Sequence, residues 1–416
     1  MNPEFTNRLK KIEEEISRVT ELNHQWKNMS FGKLPDGVCS ENGNLYLNCL
    51  LEPNTNLISQ GGKRWRPLFA TLVADLVSES KKNAGSANST SVLSSKEASS
   101  AQELAFRLCP IVEFVHTASL IHDDIEDGAD LRRGKPCAHI TFGLDTALNS
   151  GSWFYFEALS LIDALDISDE KKLQLHRIVS QELRRLHLGQ AMDIYWHRNP
   201  DFFPVEAEYE AMVRQKTGTL ANLAAQLGAM AGGASQELCE KLGETASFVG
   251  MGFQIIDDVI NLTTGNVGKK RGDDIVEGKK SLPVLIHVQE HPEDKEKIAA
   301  FMNQARGEGI DSPAVEQCIS LLETSGCIEK AWEKGIAVLK EACAGFRNIQ
   351  NIGDIDGKTG VESSAAAPNT VAAPGRTIAT PNTVAPNTVA PNTAPPNTAA
   401  DLIEELFLSM VPVLKN

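Results

Sequence analysis

Apolar residues along this chain recur at intervals of three and four, the spacing that lines one face of an α-helix. The first such run covers 7–29, with Leu9, Ile12, Ile16, Val19 and Leu22 on one stripe, and a breaker cluster from Gly32 to Asn44 ends it. Pro67, well suited to a first helical turn, opens a second run through Leu68, Leu72, Val73 and Leu76. Residues 79–100 are Ser/Asn-rich and non-periodic, which predicts a loop insertion. A strongly apolar helix is expected from Ala101 to Asp127. Others are expected at about 144–165, 169–197, 205–232, 235–264, 280–290, 294–306, 312–324 and 327–348. Sustained period-two alternation with β-branched residues is missing, so the pattern predicts an all-α fold.

The stretch 353–400 breaks this rhythm. Pro-Asn-Thr recurs there at Pro368, Pro381, Pro386, Pro391 and Pro396, with no bulky apolar residue to bury, which predicts a disordered insertion. Helical spacing resumes at Leu402, Ile403, Leu406, Phe407 and Met410. The expected organisation is therefore one helical domain, 1–352 plus 401–416, interrupted by the repeat tract.

Composition narrows the function. With 416 residues, 42% of them hydrophobic, the chain can bury a large core, and the net charge of -15 argues against a nucleic-acid partner. Eight cysteines are scattered without a CxxC pair, as expected of buried thiols in a reducing compartment. The polar, acidic N-terminus shows no leader pattern and no apolar stretch reads as long enough to span a membrane, so a cytoplasmic protein without a transmembrane segment is expected.

Two acidic clusters carry the chemistry. Asp123, Asp124 and Asp127 end one apolar run, and Asp257, Asp258 and Asn261 end another, each placing oxygen-bearing side chains at i and i+4 on one helix face. Carboxylates at the ends of buried helices need cations, and hard oxygen ligands of this kind suit Mg²⁺. Cations follow each cluster: Arg132 and Arg133 after the first, Lys269 and Lys279 after the second. Lys216 and Thr217 break a helical run between them, and Lys63 and Arg66 lie at a helix start, where free backbone N–H groups also favour an anion. Any one of these groups alone is an ordinary surface feature. Their joint order points to magnesium and diphosphate.

The segments GGKRWRP, SLIHDDIEDGADLRRGKP, GQAMDIYW, KTGTL, FQIIDDVIN and GDDIVEGKKSLP, in this order over about 60–350, resemble those of the trans-isoprenyl diphosphate synthases, or polyprenyl synthetases. ALNSGSWFYFEAL, LHLGQAMDIYWHRN and EYEAMVRQKTG look most like the geranylgeranyl diphosphate synthase branch. The resemblance implies an isoprenoid-synthase-type helical bundle around a central cavity, usually a homodimer. It also implies condensation of isopentenyl diphosphate with dimethylallyl, geranyl or farnesyl diphosphate. Asp123, Asp127 and Asp257 would hold the metal, about three Mg²⁺ ions per loaded site, with Asp124 and Asp258 assisting through water. Asn261, where many members have Asp, reads as a mark of the branch. Arg132, Lys216 and Lys269 would grip the allylic diphosphate with help from Lys279. Lys63, Arg66, His116 and Arg133 would grip isopentenyl diphosphate. Thr217 and Gln254 would face the carbocation.

Chain length should follow from the tunnel below the first cluster. Ala118 and Ser119, small residues about one turn before Asp123, are expected to leave it open; Trp153, Phe154 and Phe156 either supply a deeper floor or simply pack in the core. Geranylgeranyl diphosphate is the expected product, ahead of a longer polyprenyl chain. A terpene cyclase has no use for the second diphosphate pocket of Lys63, Arg66 and His116. A non-catalytic partner subunit would be free to lose its acids, and here they are kept.

Overall fold

The structure is a computed structural model that describes residues 2–21, 40–87, 95–265, 270–351 and 398–412. Helices dominate. They are α1 (Pro3–Thr20), α2 (Ser40–Ser59), α3 (Trp65–Ala87), α4 (Ser95–Glu126), α5 (Ala138–Phe142), α6 (Leu144–Asp163), α7 (Asp169–Arg198), α8 (Glu206–Val213), α9 (Thr219–Ala231), α10 (Gln236–Thr263), α11 (Asp273–Glu277), α12 (Leu282–Glu290), α13 (Lys295–Glu308), α14 (Pro313–Thr324), α15 (Cys327–Asn351) and α16 (Ala399–Ser409). The strands among the described residues are a two-residue ribbon, β1 (Leu131–Arg132) with β2 (Lys135–Pro136), paired antiparallel. Its turn has Arg133 at φ +53° and Gly134 at φ +77°, the double left-handed geometry that matches ribbon twist.

Helix ends follow their caps. Asn2 accepts from the Glu4 amide at 2.9 Å to start α1, and Ser168 and Ser235 cap α7 and α10 in the same way. The larger core joins α1, α3, α4, α6, α7, α9, α10, α15 and α16 around Phe69, Phe114, Phe154, Phe346 and Phe407. A smaller core gathers α8 and α12–α14 against the other flank of α10, around Tyr209, Val259, Leu285 and Ile319. Close packing of α3 on α9 requires glycine: a Cβ on Gly228 would lie 2.2 Å from the Ala70 carbonyl oxygen.

Several expectations change. The loop insertion at 79–100 is largely helix, since α3 runs to Ala87 and α4 begins at Ser95; Lys, Ala, Glu and Ser sustain the turns despite the polar composition. Residues 88–94 fall outside the described residues. So do the end of the 7–29 run beyond Glu21 and the tract over 352–397. Helix α2 was hidden by its internal Pro53 and its asparagines, although Leu47, Leu51 and Ile58 bury one stripe of it. One helix, over Ser99–Glu126, is in fact long and apolar enough to cross a membrane, but 72% of its window is packed inside the protein. Its apolarity serves the core it threads.

Candidate active site

A cavity of about 670 Å³ opens among α3, α4, α6, α7, α9 and α10. On α4 the wall takes His116, Ser119, Leu120, Asp123, Glu126 and Asp127, the stripe that helical spacing produces. The β-ribbon delivers Arg132 and Arg133, and α7 delivers Leu186, His187, Gln190 and Asp193. Gln254, Asp257 and Asp258 arrive from α10, with Lys279 from the following loop. Lys63 and Arg66 complete the rim at the start of α3. The two acidic clusters thus face one hollow.

Lys216 and Thr217 come from a π turn, Arg214–Gly218, which interrupts the expected 205–232 helix. Such turns widen a helix by one residue and redirect side chains. Glycines make room for it. A Cβ on Gly189 of α7 would sit 2.3 Å from the Lys216 amide nitrogen, and one on Gly250 of α10 2.5 Å from the Gly218 Cα. From this turn Lys216 Nζ reaches Asp193 at 2.6 Å and Asp123 at 3.0 Å.

Charge in the wall is closely matched. Burial opposes ionisation of Asp123, but Lys216, Lys279 and Arg132 outweigh it and hold this carboxyl well below the usual range. Asp127 is pushed up by burial, although Lys279 Nζ lies 3.6 Å away. Burial works against the charge on Lys279, which Glu277, Asp274 and Asp127 more than restore. At the other end, burial and then Arg66 and Arg133 depress His116, so its ring is neutral at physiological pH. Arg66 NH1 stands 3.4 Å from His116 Nε2, and burial brings the Arg66 pKa down to about 10. Arg133 donates to the Gly61 and Leu57 carbonyls, bracing the Gly61–Gly62 turn.

The clusters are not used as symmetrically as their spacing suggests. Asp123, Asp127 and Asp257 line the hollow, whereas Asp124 does not: it is 1% exposed and gives its oxygens to Arg132, with Nε at 2.7 Å. Asn261 is also away from the wall, accepting from the Asp274 amide at 3.2 Å to fix the start of α11. Helical rotation by one residue turns Asp124 away from the wall, and Asn261 is held by its bond to the start of α11. Asp258 touches the hollow, but its oxygens already accept from Gln254 (3.0 Å), Tyr209 (2.7 Å) and the Leu282 amide (3.1 Å). Thr217 donates to Gln254 Oε1 at 3.0 Å and so joins the same chain of bonds. Lys269 lies outside the described residues.

The tunnel expectation also shifts. Ser119 faces the cavity, while Ala118 is sealed in the core. Phe156 is 69% exposed, Phe154 stacks on Phe114 at 3.9 Å, and Trp153 packs behind Phe154. The member of this aromatic run that reaches the hollow is Tyr155, tilted against His122 (5.4 Å) and His187 (5.3 Å). Also missed were Gln190 and Asp193. Gln190 donates to Glu126 at 2.6 Å and Asp123 at 3.2 Å. Their signal was the i, i+3 spacing within GQAMD.

The donor set suits Mg²⁺: hard carboxylate oxygens on two facing helix ends. Among the described residues no three acids have converged as a ready cluster. The lysines that neutralise them show how much positive charge the wall accepts.

Residues 48–321 match the family model for polyprenyl synthetase. Geranylgeranyl pyrophosphate synthase 2 of Zymoseptoria tritici is 34% identical over 255 residues, which are 59% of this chain and 73% of that protein. Octaprenyl diphosphate synthase of Escherichia coli is 30% identical over 291 residues, 68% of this chain and 81% of that protein. Among solved structures, geranylgeranyl pyrophosphate synthetase from Pyrococcus horikoshii Ot3 superposes with a TM-score of 0.60 at 26% identity, over 80% of this chain and 92% of that one. With its helical cavity, its facing acids and a family match across well over half its length, the chain belongs to the polyprenyl synthetase family of prenyl-transferring enzymes.

Proposed function

We propose that this chain is a Mg²⁺-dependent enzyme that joins isopentenyl diphosphate to an allylic diphosphate and releases geranylgeranyl diphosphate. The observation that carries this reading is one hollow lined by acids from both clusters together with Lys63, Arg66 and His116. Asp123, Asp127 and Asp257 would hold Mg²⁺, which supplies positive charge to the leaving diphosphate. Lys216, Lys279 and Arg132, now paired with wall acids, exchange those partners for the allylic diphosphate, with Lys269 assisting. Lys63, Arg66 and Arg133 hold the second diphosphate, and the neutral His116 serves it as a hydrogen-bond donor.

Leu120, Leu186, Met212, Val213 and Leu220 exclude water from the reacting carbons. The Thr217 and Gln254 oxygens lie where a developing carbocation is steadied by dipoles. The departing diphosphate takes the proton, so no side chain need act as base. Tyr155, braced by His122 and His187 from two other helices, forms the floor that ends growth.

Leu144, Leu148 and Phe156 expose one stripe of α6, at 56%, 46% and 69%, a surface suited to a second copy of the chain. The seven described cysteines are all free, as a cytoplasmic setting requires. The test is incubation with Mg²⁺, labelled isopentenyl diphosphate and each allylic starter, with products sized by mass spectrometry. Geranylgeranyl diphosphate is expected, and longer chains from Tyr155→Ala. No elongation from any starter refutes the activity, and unchanged length in Tyr155→Ala refutes the floor.

A further inference from the structure

The aromatic cluster behind the rim of the cavity is built by a helix from the far end of the chain. Phe407 of α16 is fully buried and meets Phe69 at 4.9 Å, Trp65 at 5.9 Å and Phe253 at 5.9 Å, the last two edge-on. Trp65 is held edge-on by Phe253 as well, at 5.4 Å. The Arg66 guanidinium lies over this same Trp65 ring, 4.6 Å from its centroid.

Little else orients Arg66. Among the described residues it enters no salt bridge, its Nε has no hydrogen-bond partner, and its remaining polar contact is His116. The neighbouring Arg64, by contrast, is pinned by Glu113 (2.7 Å), Glu13 (2.8 Å) and the Ile58 carbonyl (2.6 Å). The aim of Arg66 therefore depends on a ring, and Phe407 together with Phe253 holds that ring.

Helix α16 is fastened at several points. Arg347 pairs with Asp401 and Glu404, Asn2 donates to Glu405 at 2.9 Å, and Glu79 accepts from the Ala399 amide at 3.0 Å. These contacts hold α16 against α3, α15 and the start of α1, and so seat Phe407.

We infer that α16 sets the isopentenyl diphosphate pocket, Phe407 and Trp65 being positioning residues that aim Arg66. The inference rests on the assignment of Arg66 to that diphosphate. It distinguishes the two substrates, because Lys216, Lys279 and the acids stand on other elements.

Steady-state kinetics of Phe407→Leu in the full chain test it. KM for isopentenyl diphosphate should rise about 3- to 10-fold, the worth of a lost aromatic edge contact. KM for the allylic substrate and kcat should stay within about 2-fold. In an Arg66→Gln background the same change should add nothing further to KM, and Trp65→Phe, which keeps a ring under the guanidinium, should retain most of the affinity that Trp65→Leu loses. Equal rises in both KM values, or an undiminished effect in the Arg66→Gln background, overturn the inference. Should Phe407→Leu fail to fold, Arg347→Gln loosens α16 from its surface and must raise the same KM; loosening seen by hydrogen exchange with KM unchanged overturns it. If the wild-type chain transfers no prenyl group, the proposed function falls separately. Calorimetric binding of isopentenyl diphosphate alone to wild type and variant then decides this point, equal affinity or no binding overturning it.

Discussion

Gly189→Ala should disable the enzyme while adding a single methyl group. The new Cβ would lie 2.3 Å from the Lys216 nitrogen, 2.7 Å from the Gln215 carbonyl carbon and 2.8 Å from the Lys216 Cα, where ordinary contact begins at 3.4 Å. All three are backbone atoms, so no rotamer change relieves the clash. The π turn has nowhere to retreat, because Gly218 is already pressed on Ser247 and Gly250 of α10. Helix α7 and the turn must therefore part by about 1 Å, a misplacement that costs on the order of 10²-fold in rate. Overpacking of this kind costs about 1–3 kcal/mol. Lys216 has a flexible stem and can partly follow Asp123. Thr217 cannot, since its short side chain reaches Gln254 at 3.0 Å. The assay is kcat with saturating substrates beside a thermal melt, with Gly307→Ala as control, a helical position where an added Cβ meets nothing within 4 Å. If Gly189→Ala keeps kcat within about 3-fold of wild type and its melting temperature matches the control, the wedge argument is wrong.

Lys280→Met tests the electrostatics of the loop beside Lys279. Lys280 is 3% exposed, lies over the Phe203 ring at 4.1 Å, and burial lowers its pKa to about 8. Below pH 8 folded and unfolded chains both hold the proton, and the fold carries the cost of a buried cation. As pH climbs from 8 toward 10.5 the folded state releases it first, so stability rises. The methionine variant should lack that rise and be more stable at pH 7 by about 1–3 kcal/mol, less whatever the cation–π contact contributes; equal melts at pH 7 and 9.5 for both proteins contradict this. Chelation with EDTA should abolish prenyl transfer and added Mg²⁺ restore it, with Asp127→Asn losing on the order of 10²-fold in kcat and Asp124→Asn mainly lowering the melting temperature. Leu148→Glu on the exposed α6 stripe should yield a monomer by light scattering, and an unchanged mass would clear that face of any role in assembly.

Helix positions were legible because apolar spacing holds over most of the chain: starts expected at about 169 and 235 fall where Ser168 and Ser235 cap the helices. The misses have physical causes. Polar helices such as 79–87 hide because sustained Lys, Ser and Ala carry no stripe, and α2 hides behind Pro53, which buried leucines override. At the site, spacing located both clusters but could not say which oxygen faces the hollow. Asp124, Asp258 and Asn261 are engaged by Arg132, Tyr209 and the Asp274 amide, bonds that spacing does not reveal. In the aromatic run the residue that reaches the hollow could not be picked out for the same reason, Tyr155 standing between Phe154 in the core and Phe156 in solvent. A π turn leaves no composition signal. Only the glycines at 189, 218 and 250 hint that backbones meet there.

That five-residue detour at 214–218 has an evolutionary corollary. Deleting one residue from it would let an ordinary helix run unbroken from Glu206 to Ala231, gaining regular hydrogen bonds while removing the bulge that aims Lys216 and Thr217 into the hollow. Drift toward greater sturdiness thus pulls against aim at this spot. Laboratory selections that reward only heat resistance should find shortened, well-folded and inert descendants here.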